Sequence, residues 1–187
     1  MKKINVKIVG CSDLLMNNPK SMLDMPEEGA VVKTTKNRDH KKDAENAAYK
    51  TNKGFLYCPN TAIKGTIINA SSYKKIGKNT LRPLIAGGIR IPTEELLIKQ
   101  KGKPIKNYDI DLRTVVIQRA RVPKARPKIA NWEIDFEILY NEILIPDPNV
   151  IRVVLEEAGQ RIGILDFRPQ KNGEFGTFKV TKFIPTK

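Results

Sequence analysis

The sequence predicts an α+β chain of strand–helix–strand–strand–helix–strand order, an antiparallel sheet with two helices on one face. Three observations carry this. Residues 3–9, KINVKIV, and 131–140, NWEIDFEILY, alternate apolar and polar with a period of 2. Runs beginning near 60 and 148 repeat apolar residues at helical spacing. A further alternating run, FGTFKVTKFI, lies at 175–184. The switches of period fall where a split βαβ unit needs them. A chain of 187 residues suits one domain, 1–187, and folding at this size buries roughly 70% of the unfolded surface.

In the first strand Ile4, Val6 and Ile8 share the inward face. Residues 11–56 read as a long insertion, irregular to 53, with a short helix near 43–50. Its segment 33–53 holds seven basic and three acidic residues and little apolar matter, the composition of a mobile basic loop. Asn60 or Thr61 is a candidate helix cap. Ile63, Ile67, Ala70 and Tyr73 then form a stripe, with Lys74, Lys75 and Gly77 suiting the helix end. Residues 78–109 are broken by Pro83, Gly87, Gly88, Pro92, Gly102 and Pro104 and read as an irregular insertion, with IRI a short strand and EELLIK two helical turns. LRTVVIQRARV, 112–122, is β-branched and predicts a strand; PKARPK predicts a tight connection into the strand at 131–140, the pair making a hairpin. Trp132, Ile134, Phe136, Ile138 and Tyr140 point inward. Asp147-Pro148 starts the second helix, whose stripe is Val150, Ile151, Val154, Leu155, Ala158 and Ile162, with Gly163 at its end.

The net charge is +14, from 34 basic and 20 acidic residues. That excess points to a polyanionic partner, nucleic acid before membrane. Two distant cysteines, Cys11 and Cys58, exclude a disulfide framework and suit a reducing cytoplasm. With one histidine, His40, they give no zinc spacing, and no metal or other cofactor is expected. The opening Lys2-Lys3 and Val9-Gly10-Cys11 imitate a lipoprotein signal, but Asn5 and Lys7 break the apolar run. No stretch reaches the ~18 apolar residues of a membrane helix.

Basic residues gather in the 33–53 loop and at Arg113, Arg119, Arg121, Lys124, Arg126 and Lys128, with no acid from 113 to 132. The second group predicts a rigid electropositive prong at a hairpin tip. Acids gather at 131–157, against Arg152 alone, so one flank is expected to be acidic and one basic, an arrangement suited to head-to-tail copies. CPNTAIKGTIINA, 58–70, puts Lys64-Gly65 in the second turn of a helix, where glycine costs about 1 kcal/mol relative to alanine. Either a neighbour packs close to Gly65, or the turn receives a ligand at backbone N–H groups and the positive helix end.

The stretch PNTAIKGTIINA resembles the P-G-[ST]-[ST]-[LI]-K-G-x-[LI]-R signature of the RAMP superfamily, the RNA-binding subunits of CRISPR effector complexes. Pro59, Thr61, Ile63, Lys64, Gly65 and Ile67 match; Asn60 and Ile68 depart from it. Gly159, Gly163, Gly173 and Gly176 resemble the family's glycine-rich segment before its last strand, and small phage-encoded proteins have a similar ending. The resemblance covers mainly 3–9, 57–76 and 112–184. It implies a ferredoxin-like, RRM-like fold and a non-catalytic protein that binds single-stranded RNA (or DNA), self-associates in copies along the strand and joins other subunits of an antiviral ribonucleoprotein. The residues it puts on nucleic acid are Lys36, Arg38, Lys41, Lys42, Thr61, Lys64, Gly65, Arg119, Arg121, Lys124, Arg126, Lys128 and Arg168. Phe55, Tyr57 and Phe167 are candidates for stacking on bases. Two alternatives stand beside it. One is a RAMP-type endoribonuclease using His40 with Asp13 or Asp24. The other is a virion or inhibitor protein that copies a RAMP surface.

Overall fold

A computed structural model describes residues 1–23, 39–117 and 120–186. In chain order the elements are β1 (Lys2–Gly10), β2 (Leu14–Leu15), α1 (Lys20–Leu23), α2 (His40–Ala47), β3 (Tyr57–Pro59) and α3 (Asn60–Ser71). There follow β4 (Lys75–Ile76), β5 (Asn79–Thr80), α4 (Arg82–Gly88), β6 (Ile89–Arg90), β7 (Glu95–Gln100) and β8 (Lys103–Pro104). Then come β9 (Asp109–Ile117), β10 (Ala120–Ile129), β11 (Glu133–Tyr140), α5 (Asn149–Glu157) and β12 (Phe178–Thr186). A π-helical turn, Ala158–Ile162, extends α5, and a short 3-10 turn spans Pro169–Lys171.

The main sheet is antiparallel, in the order β12-β1-β11-β7-β3, with β6 on β11 and β8 on β7. The alternating residues of β1 and β11 lie inward as their period demands: Ile4, Val6 and Ile8 meet Ile134, Phe136, Ile138 and Tyr140 in the core. Ile63, Ile67 and Ala70 of α3 and Ile151, Val154 and Leu155 of α5 close that face. Trp132 is fully buried; its indole Nε1 donates to the Ser12 carbonyl at 2.8 Å and its ring meets Phe178 edge-on at 6.5 Å.

The opposite sheet face is polar and charge-compensated. Lys3 pairs with Glu137 (2.5 Å), Lys7 with Glu133 (2.8 Å) and Lys99 with Asp135 (3.0 Å). The expected acidic flank is therefore not formed, because the carboxylates of β11 face lysines on the strands to either side.

Four further expectations are corrected. EELLIK is strand β7, not helix: Leu96 and Ile98 alternate into the core between β11 and β3. α3 ends at Ser71, and Gly77 sits at positive φ in the β4–β5 turn instead of closing the helix. PKARPK is no connection: it lies within β10, which pairs with β9. The expected hairpin of 112–122 with 131–140 is thus two separate pairings, β9 with β10 and β11 with β1 and β7. The prolines fit in a strand whose other edge meets, among the described residues, β2 at Lys128 and Ile129. The 11–56 stretch is also more ordered than its composition suggests. Asp39 caps α2 by accepting from the backbone of Lys41 (2.9 Å) and Lys42 (3.2 Å), and α2 packs on β10.

Trp132→Ala removes the largest core side chain and should cost about 3–5 kcal/mol. That corresponds to a thermal midpoint roughly 10 °C lower for a domain of this size. An unchanged midpoint would show that the indole is not packed as described. The Glu133 carboxyl is held below its ordinary range chiefly by the hydrogen bond from Lys7, which outweighs the opposing effect of burial, with a lesser contribution from the Gly102 N–H. A lowered folded value means stability that is complete above the unfolded value of about 4.3 and is lost as pH falls through the folded one. Glu133→Gln should therefore lose up to about 1 kcal/mol at neutral pH and converge with the parent protein in acid-unfolding curves once pH falls below the lowered folded value. A constant gap across that range would contradict the pairing.

Candidate nucleic-acid interface

The cleft beside α3 is built by three segments. α3 follows directly from the edge strand β3, and no side chain caps its first turn: the Asn60 amide instead donates to the Ile91 carbonyl at 2.8 Å. Thr66 Oγ1 donates to the Gly163 carbonyl at 2.8 Å, which ties α3 to the turn leaving α5. From that turn, residues 164–168 run back past the helix. Between them lies a cleft of about 340 Å³, lined among others by Thr61, Gly65, Asn69, Tyr49, Asp166 and Arg168.

Gly65 answers the question its position raises. A Cβ built on it would meet nothing within 4 Å. No neighbour needs the glycine for close packing, and its missing side chain keeps the cleft wall open. Arg168 stands across the same cleft. Its guanidinium donates to the Leu165 carbonyl (2.7 Å) and to Gln170 (3.0 Å), and its Nε has no hydrogen-bond partner among the described residues. Its charge faces no carboxylate within ion-pair distance among them, and neither does that of Lys64. The cleft can thus offer one guanidinium, hydroxyl and amide groups, and an uncapped helix end to an anionic ligand, while Lys64, beside Gly65 in sequence, is not among the residues that line it.

The other expected residues divide. Lys41 and Lys42 are exposed in the first turn of α2, and Arg121 is exposed on β10. Lys124 is half-buried; burial pulls its pKa down, as does Arg126, while Asp166 raises it. Lys128 lies 3.8 Å from Asp13. Arg126 is corrected: it is 4% exposed and held by Asp166 at 2.9 Å and Asp111 at 3.5 Å, so its charge is spent inside the protein. The prong is accordingly a strand with cations distributed over two faces. Lys36, Arg38, Arg119 and Asp24 lie outside the described residues.

The glycine-rich segment is corrected too. A Cβ on Gly159 would overlap the Phe178 carbonyl, and one on Gly176 the Ile164 carbonyl. These glycines let the chain approach itself, not a ligand. Among the stacking candidates, Tyr57 packs edge-on against Tyr49 at 5.6 Å, and Lys106 covers the Phe55 ring at 4.6 Å. Burial pushes the Cys58 thiol well above its ordinary value, which makes it inert. Among the described residues no cluster of three or more His, Cys, Asp or Glu could hold a metal ion, and no helix is long and apolar enough to cross a membrane. What sequence reasoning missed is Asn69 and Tyr49 in the cleft, and Asp166 as the partner of Arg126; nothing in the local sequence links positions 40 residues apart.

No protein-family model matches the chain, and no curated protein matches it. Among solved structures it is similar to a chain in the cryo-EM structure of the Type III-B Cmr-beta bound to cognate target RNA, with 14% identity and a TM-score of 0.66. The match covers 100% of this chain and 61% of that one, so this chain spans about three fifths of its neighbour's length. At that identity the likeness is one of fold: a mixed α/β chain with antiparallel sheets.

Proposed function

We infer that this protein is a non-catalytic, RAMP-like binder of single-stranded RNA that works as a subunit of a ribonucleoprotein of the CRISPR type, in repeated copies along the strand. The observation that carries the reading is Gly65, whose side-chain position opens into a cleft faced by Arg168, which has no carboxylate partner among the described residues. Three others support it. The net charge is +14, and the free face of the main sheet is internally neutralised, so that excess lies elsewhere. The strand order β12-β1-β11-β7, with α3 and α5 on one face, supports the ferredoxin-like part of this reading. The structural neighbour comes from a particle bound to RNA. In this reading Lys64 and Arg168 hold phosphates at the cleft while Lys41, Lys42 and Arg121 extend the track.

Five neutralised phosphates predict a slope of log K against log salt near −3.5, roughly a hundredfold loss between 50 and 200 mM. A slope near −1 would remove the extended track. Gly65→Ala should stabilise the helix by up to about 1 kcal/mol yet weaken RNA binding about ten-fold, the worth of one charge-assisted hydrogen bond. Equal RNA affinity in the variant would take the cleft out of the reading. Labelled RNA should stay intact with and without Mg²⁺; cleavage abolished by His40→Ala or Asp13→Asn would replace the reading with an endoribonuclease.

A further inference from the structure

The loop that walls the cleft has a second side. Ser12, Asp13, Arg113, Phe167, Asn172 and Phe175 line a separate cavity of about 460 Å³. The Phe167 and Phe175 rings lie 6.0 Å apart at 35°, and the Arg113 guanidinium sits 4.8 Å above the Phe175 ring. Both rings are positioned by backbone: the Phe175 N–H donates to the Phe167 carbonyl at 3.1 Å. Arg113 is bound to Asp111 through Nε, at 2.8 and 3.1 Å, and its two terminal nitrogens have no hydrogen-bond partner among the described residues. The Asp13 carboxylate is 40% exposed, and its cationic neighbour Lys128 stands at 3.8 Å, beyond hydrogen-bond distance. The Asp13 main chain is held independently, its carbonyl accepting from the Gly176 N–H at 2.9 Å.

We propose that this cavity receives one unpaired nucleobase, guanine by preference, from a strand lying in the Gly65 cleft. The inference rests on the RNA-binding reading above. Planar aromatic and guanidinium groups are the surfaces on which splayed bases stack. A carboxylate offers two acceptors side by side, which match the parallel N1–H and N2–H donors on the Watson–Crick edge of guanine. Uracil carries no such pair, and cytosine and adenine offer a single amino group on that edge. The two sites share three consecutive residues: Asp166 and Arg168 line the cleft and Phe167 lines the cavity. A strand leaving the cleft therefore has the cavity immediately beside it.

Two measurements test this. In the first, isotope-labelled protein is titrated with guanosine, cytidine or uridine, nucleosides without phosphate that leave the cleft's charges unprobed. Guanosine should shift the amide signals of Asp13 and residues 172–176; uridine should not. In the second, anisotropy compares a uridine 12-mer with the same oligomer carrying one central guanosine. The guanosine should strengthen binding about ten-fold, the scale of one stacked base. That gain should vanish in Asp13→Asn, whose fold needs only its main chain, and in Phe175→Leu, while both variants bind the uridine oligomer as the parent does. A protein that binds the uridine oligomer but shows neither nucleoside shifts nor a guanosine gain overturns the pocket and leaves the RNA reading standing. Guanosine shifts at the pocket without oligomer binding support the pocket and overturn the RNA reading. A gain that survives when Asp13→Asn is combined with Glu174→Gln, the other carboxylate lining the cavity, overturns the pocket, because guanine is then recognised elsewhere.

Discussion

The Arg126–Asp166 ion pair organises the functional side of this molecule. Arg126 reaches it from β10 and Asp166 from the loop after the π-helical turn, and the guanidinium is almost wholly removed from water. Breaking such a pair from one side leaves a buried charge without compensation, at a cost of about 3–5 kcal/mol. The same aspartate is fixed through its backbone, whose N–H donates to the Leu15 carbonyl at 3.0 Å. Its neighbours Leu165 and Phe167 both stand at positive φ, +59° and +47°, where a non-glycine residue costs about 1–3 kcal/mol. The ion pair and the β2 contact hold this strained tripeptide in place. Its conformation sends Arg168 to the cleft and Phe167 to the neighbouring cavity, so one anchored residue sets the geometry of both.

Glycines show two opposite uses of the same freedom. At Gly176 the chain takes φ +71° and lies against the Ile164 backbone, whose N–H donates to the Gly176 carbonyl at 2.9 Å. A side chain there would displace the loop that carries Asp166. At Gly65 the backbone is ordinary helix and the surroundings are open, so the residue costs helix stability without aiding packing. A cost without a structural return is the signature of a position shaped by something outside the fold.

The parts of the fold legible in the sequence were those with a one-sided period. β1 and β11 alternate because one face meets the core and the other meets water, and α5 shows its stripe for the same reason. β7 was misread because Leu96, Leu97 and Ile98 are apolar in succession, a run too short to separate strand from helix. β10 was misread because Pro123 and Pro127 normally end a strand, whereas here both prolines lie within the ladder that β10 makes with β9. The Lys64-Gly65 turn was legible as unusual, but only its open surroundings separate ligand approach from packing. Arg126 was indistinguishable in sequence from its exposed neighbours, since its burial depends on Asp166, brought to it by the fold alone.

Charge placement follows from the same pairing logic. The β11 carboxylates neutralise lysines of β1 and β7, so the broad sheet face that an RNA-recognition fold commonly uses for stacking carries ion pairs instead. A polyanion approaching that face would have to break lysine–carboxylate contacts to gain phosphate contacts, an exchange with little net gain in water. On the helical side no such exchange is needed, because among the described residues Lys64 and Arg168 have no carboxylate to give up. Among the described residues the cleft and the sheet thus differ in unspent charge: where each cation already has a partner, an added anion gains little, and where it has none, the full screened attraction is available.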